Sequence, residues 1–152
     1  MDERSGASGP HGLWLTRVLT ASRERLWREW TEPDRFADWF GGRDAVVPTA
    51  SVSMDVRPGG RWRATMQIED AEIRWEGVYL EVNEPERLVL TFSDEPGKEP
   101  HEVVTVVFRD IGNGRTEMRL EQRGTHSQDL YEQSLKGWSS FLDRLAERLP
   151  YD

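Results

Sequence analysis

Few side chains in this sequence could carry out chemistry. There are no cysteines, which removes thiol catalysis, disulfides and thiolate metal sites together. The three histidines, His11, His101 and His126, show no helical ligand spacing, so neither a metal nor another cofactor is expected. The stretch "GTHS" sets His126 beside Ser127, but sequence neighbours rarely form a nucleophile–base pair, and Ser127 reads as a helix cap. Neither His101 nor His126 has a visible carboxylate to orient it. Glu81 is the one carboxylate whose strand pattern points it inward. Burial would raise the pKa of such a group toward acid–base use. It more often pairs with an arginine or sits at a rim, so no catalytic residue is assigned and Glu81 is kept as a polar cavity group.

The stretch "DVRPGGRW", Asp55 to Trp62, raises the question of a phosphate grip. A P-loop needs a longer glycine-rich run that ends in Lys-Ser/Thr before a helix. Here the run is short and strands flank it. Pro58 at the second turn position and Gly59 at the third, where φ must be positive, fit a tight turn between two strands. That turn sets the register that aims Trp62 to one face. Trp62 is one of seven tryptophans. So many in a small chain mean either a bulky core or a cavity with aromatic walls.

The elements that must position these residues follow from periodicity. Residues 13–20, "LWLTRVLT", read as a strand. Ser22 caps a helix with Leu26, Trp27 and Trp30 on its apolar face. Pro33 opens a second helix, where Phe36, Trp39 and Phe40 recur at i, i+3 and i+4, and Gly41–Gly42 stops it. Six strands are predicted at about 51–57, 60–69, 72–82, 87–93, 101–110 and 115–123. "RWRATMQI" puts Trp62, Ala64, Met66 and Ile68 on one face and polar residues on the other, as in an antiparallel sheet with one wet face. In 72–82, Trp75, Gly77, Tyr79 and Glu81 share a face that is read as inward, with Gly77 as a candidate bulge. Residues 127–149 form a long helix with Ser134, Trp138, Phe141, Leu145 and Leu149 along one stripe. Gly137 within it costs about 1 kcal/mol relative to alanine, which a close approach to a backbone or a ligand would explain.

Composition narrows the function classes. The chain has 152 residues, 32% of them charged, with a net charge of -8. One domain is expected over 13–150, after a Gly/Ser-rich disordered tail at 1–12. The acidic balance argues against a general nucleic-acid binder. No apolar run approaches the ~20 residues a membrane helix needs, so no membrane insertion is expected. The N-terminus lacks the apolar centre of a secretory signal, and a cytoplasmic protein is expected. The acidic runs "IEDAE" and "SDEPGKE" read as solvated turns. Eighteen arginines against two lysines fit the codon usage of a GC-rich bacterium.

Four stretches in order, "ASRERLWREWTEPDRFADWF", "DVRPGGRWRATM", "GVYLEVNEPERLVLTF" and "GWSSFLDRL", carry a resemblance over residues 13–149. The chain resembles the SRPBCC (START-like, helix-grip) superfamily. Within it, the chain is similar to the family of the activator of the heat-shock-protein-90 ATPase, C-terminal-domain type. The resemblance implies an α+β helix-grip fold. In it, a curved antiparallel seven-stranded sheet with two short helices wraps around the long C-terminal helix. It also implies a cavity between sheet and helix, walled by Trp39, Trp62, Met66, Trp75, Tyr79, Trp138 and Phe141, with Glu81 inside.

Fold does not fix function. The expected function is binding of a small apolar or aromatic ligand, such as a lipid, polyketide or other natural product. Transport, sensing and sequestration for self-resistance all fit that role. A cyclase, aromatase or hydrolase using the same cavity is one alternative, and a chaperone ATPase co-factor is another. The sequence identifies no protein partner.

Overall fold

The computed structural model describes residues 4–95 and 102–149. Its strands are β1 (Arg4–Gly9), β2 (Gly12–Leu19), β3 (Ser53–Met54), β4 (Arg61–Ile68), β5 (Ala71–Asn83), β6 (Arg87–Phe92), β7 (Glu102–Gly112) and β8 (Arg115–Arg123). Its helices are α1 (Arg23–Thr31), α2 (Pro33–Trp39) and α3 (Gln128–Glu147), with 3-10 turns at Gly42–Asp44 and Thr49–Ser51. All strands join one antiparallel sheet in the order β1-β2-β8-β7-β6-β5-β4-β3. This is the expected α+β helix-grip architecture, with eight strands instead of seven.

The additional strand is β1, which lies in the segment expected to be a disordered tail. "RSGASG" carries no apolar alternation. Its backbone nevertheless pairs with the edge of β2 from Arg4↔Arg17 to Gly9↔Gly12, because an unpaired edge offers a ready ladder of donors and acceptors.

The helix starts follow their caps. Ser22 and Ser127 accept hydrogen bonds from Arg25 N and Leu130 N, and Pro33 opens α2. At "RPGG", Gly60 N donates to Arg57 O at 2.8 Å and Gly59 has φ +84°. That is the turn expected there, and it closes the β3–β4 hairpin. Asn113 and Gly114, both with positive φ, make the two-residue loop between β7 and β8.

α3 packs against β1, β2, α2 and the first 3-10 turn. Its buried stripe of Tyr131, Trp138, Leu142 and Leu145 meets the inner faces of the strands. The C-terminal end of α3 is tied to α1 and α2 through one carboxylate. Glu29, whose side chain is fully buried, accepts from Arg148 at 2.7 and 3.2 Å, from Arg35 at 3.2 Å and from Arg25 at 3.3 Å. Burial alone would raise the Glu29 pKa. The hydrogen bonds and charge of Arg148, with help from Arg35 and Arg25, outweigh it and hold the carboxyl below its ordinary value. Among the described residues, no helix is long and apolar enough to cross a membrane.

Candidate functional site

The inner face is dominated by aromatic rings that touch one another across elements. Phe40 at the end of α2 lies 6.3 Å from Trp62, 6.2 Å from Trp75, 6.1 Å from Phe92, 6.4 Å from Trp138 and 5.3 Å from Phe141, centroid to centroid. Phe92 in β6 lies 4.5 Å from Trp62, 6.0 Å from Trp75 and 5.4 Å from Trp138. Phe40 and Phe92 are thus the hubs that join strands β4 and β5 to α3.

Within this cluster, Trp62 is buried at the β4 end and its indole N–H donates to Thr91 O at 3.0 Å. That bond explains Gly77. A Cβ there would sit 2.5 Å from Trp62 Nε1 and 1.8 Å from Thr91 O, so the glycine makes room for the indole. Trp39 is fully buried between α1 and α2, donating to Glu29 O at 2.9 Å, and Met66 is packed under Gly41. Trp39, Trp62 and Met66 are therefore parts of a packed core.

The open edge of the cluster lies at Trp75 and Phe141, which are only partly buried. Gly137, one turn before Phe141, faces open space where a side chain would stand. Trp30, Trp39, Trp62 and Trp138 each send their indole N–H to an acceptor, whereas Trp75 Nε1 is buried and has none. Tyr79 is also buried with an unpartnered hydroxyl. Burial, with the Asp55 charge second, raises its pKa.

Glu81 does not enter the interior. The β5–β6 register shifts between Tyr79 and Glu81, and Leu80 and Glu81 both face solvent beyond that bulge. Glu81 is about half exposed and pairs with Arg87 at 3.1 Å. The expectation of a polar cavity group at Glu81 is corrected: the facing switch lies at Leu80, not at Gly77.

The polar wall comes instead from residues that the sequence did not single out. Glu102, at the start of β7, is buried and accepts from Gln122 Nε2 at 3.1 Å, Tyr131 Oη at 2.8 Å and Thr125 N at 3.0 Å. Gln122 Oε1 in turn accepts from Trp138 Nε1 at 2.8 Å. Burial, then the hydrogen bond to Glu102, pushes the Tyr131 hydroxyl up to about 12. His126 does have a carboxylate near it, with Nδ1 3.8 Å from Glu102 Oε2. His101 lies outside the described residues.

A separate open cleft of about 640 Å³ lies on the outward side of α3, lined by Arg43, Leu135, Lys136, Ser139, Ser140, Asp143 and Glu147. Of its charged residues, Arg43 pairs with Glu147 and Asp143 with Arg17, and no aromatic residue lines it. Among the described residues, no three His, Asp or Glu side chains gather as a metal site would require.

The family model described as activator of Hsp90 ATPase homolog 1-like protein matches residues 20–150. Among solved structures, the chain is similar to a protein from Chromobacterium violaceum (25% identity, TM-score 0.83, covering 94% of this chain and 100% of that one). It is also similar to the AHSA1 protein of Silicibacter pomeroyi (21%, TM-score 0.79, 91% and 96% covered). A third is CalU16 from Micromonospora echinospora (20%, TM-score 0.70, 98% and 86% covered). No curated protein matches the sequence.

Proposed function

The chain belongs to the family of activator of Hsp90 ATPase homolog 1-like proteins, and from that premise we propose that it is a small-molecule binding protein for an apolar, aromatic ligand. The ligand enters at the Trp75–Phe141 edge of the ring cluster. Its planar body replaces the contacts of Phe141 and lies against Phe40, Phe92 and Trp138. A carbonyl, ether or phenolic oxygen on the ligand accepts the Trp75 indole N–H.

The observation that carries this reading is the buried, unpartnered Trp75 Nε1 at the half-exposed edge of the rings. A buried donor without an acceptor costs about 1–3 kcal/mol, which a ligand oxygen would recover. A bicyclic ligand burying about 300 Å² of apolar surface gains ~7 kcal/mol before ordering costs, which puts its affinity in the micromolar to millimolar range. Binding of this kind fits transport, sensing or sequestration of a natural product.

Calorimetric titration with acetonaphthone and with ethylnaphthalene tests the reading. The ketone is expected to bind about fivefold tighter, a gain of ~1 kcal/mol for one neutral hydrogen bond. Trp75→Phe should erase that difference. Absence of binding by both probes would refute the proposal.

A further inference from the structure

Glu102 is a buried carboxylate beside the ring cluster that has no lysine or arginine partner among the described residues. Its side chain points to the inner face of the sheet and the residue is 4% exposed. Its cross-strand partner is Phe92, a hub of the aromatic cluster. The side chains of Tyr131 and Trp138 on α3 reach the same place, Tyr131 by bonding Glu102 directly and Trp138 through Gln122. All three donors to the carboxylate, Gln122 Nε2, Tyr131 Oη and Thr125 N, are neutral. Among the described residues no lysine or arginine is paired with Glu102. The half-exposed His126 imidazole, 3.8 Å from Oε2, is the one group among the described residues that pairs with it and can carry positive charge.

Neutral donors lower the cost of burying a carboxylate, but they leave its charge uncancelled. Oε2 accepts one hydrogen bond, from Thr125 N at 3.0 Å, so it keeps capacity for another donor. The faces of aromatic rings are themselves negative and attract ammonium groups. A carboxylate cross-strand from Phe92, bonded to Tyr131 and joined through Gln122 to Trp138 therefore sets beside the ring cluster a negative group able to recognise an organic cation.

We propose that Glu102 receives the ammonium group of the ligand, so that this protein selects arylalkylamines over neutral and anionic aromatics of the same shape. This rests on the reading that an aromatic ligand occupies the Trp75–Phe141 edge. The aromatic body stays on Phe92 and Trp138, and the amine extends past Phe92 toward β7.

Titration calorimetry at neutral pH with naphthylmethylamine, naphthylmethanol and naphthoate tests the selectivity. The amine is expected to bind about tenfold tighter than the alcohol, and naphthoate weakest, as a charge-assisted hydrogen bond worth ~1.5 kcal/mol requires. In Glu102→Gln the amine should fall to the affinity of the alcohol, with the alcohol unchanged. The wild-type comparison needs no variant, so it stands even if Glu102→Gln fails to fold. Equal binding of amine and alcohol to the wild type, or equal weakening of both in Glu102→Gln, overturns the amine seat while the aromatic site survives. Binding of none of the three probes overturns both.

Discussion

Replacing Glu29 by glutamine is expected to be among the most damaging single-atom changes in this protein. Glu29 is fully buried and holds Arg148, Arg35 and Arg25 at 2.7 to 3.3 Å. Arg148 follows α3, and its guanidinium also reaches Asp38 in α2 at 2.8 Å. One carboxylate thus fixes the end of α3 against α1 and α2, and with it the placement of Trp138 and Phe141. Removing one partner of a buried ion pair typically costs about 3–5 kcal/mol. Glutamine keeps one acceptor oxygen, so the lower end, ~3 kcal/mol, is the expectation. With a urea m-value of about 2 kcal/mol per molar, the unfolding midpoint should fall by about 1.5 M.

The pH dependence supplies a second check on the same carboxylate. Because the Glu29 pKa is lowered in the folded state, its contribution is complete above the unfolded value of 4.5 and is lost as pH falls through the folded value. The gap between wild type and Glu29→Gln should therefore be full at pH 7 and shrink under acid below 4.5. Urea titrations monitored by circular dichroism at both pH values measure it. A loss under ~1 kcal/mol at pH 7, within the range of surface ion pairs, would refute the reasoning. So would a gap that stays constant as the pH is lowered.

Two glycines give opposite expectations. Gly77→Ala should destabilise the protein by more than about 3 kcal/mol, because its Cβ would overlap Thr91 O and displace the Trp62 indole; thermal unfolding measures this. Gly137→Ala meets no atom within 4 Å and gains helix propensity, so the fold should become about 0.5–1 kcal/mol more stable. Because that methyl group narrows the opening beside Phe141, the same variant should bind acetonaphthone more weakly. Stability and affinity moving in opposite directions is the signature to look for in paired melting and calorimetry experiments.

The parts legible in the sequence were those set by local periodicity and turn chemistry. The alternation of "RWRATMQI" placed Trp62, Ala64 and Met66 on the buried face of β4, and Pro58–Gly59 announced its turn. The N-terminal strand was hidden because "RSGASG" pairs through its backbone alone. The bulge at Leu80 was hidden for a related reason. Alternation predicts one facing for the whole of β5, and an extra residue on one strand reverses it without a signature in the residue types. Glu102 escaped notice because a carboxylate at the start of a strand reads as solvent-facing. Its donors lie 20, 23 and 29 residues away and meet it only when β8 pairs with β7 and Tyr131 of α3 is brought onto the sheet. Phe40 was legible only as part of the apolar face of α2 and Phe92 only as a position in a strand, and the fold reveals them as the hubs between sheet and helix.

The most direct test of the binding site is the indole N–H resonance of Trp75 in a ¹⁵N-labelled sample titrated with acetonaphthone. A downfield shift of that resonance on saturation, together with amide shifts centred on 73–77 and 137–141, is the predicted result. Ligand-dependent shifts confined to the outward cleft between Arg43 and Glu147, with the Trp75 indole unmoved, would contradict the account.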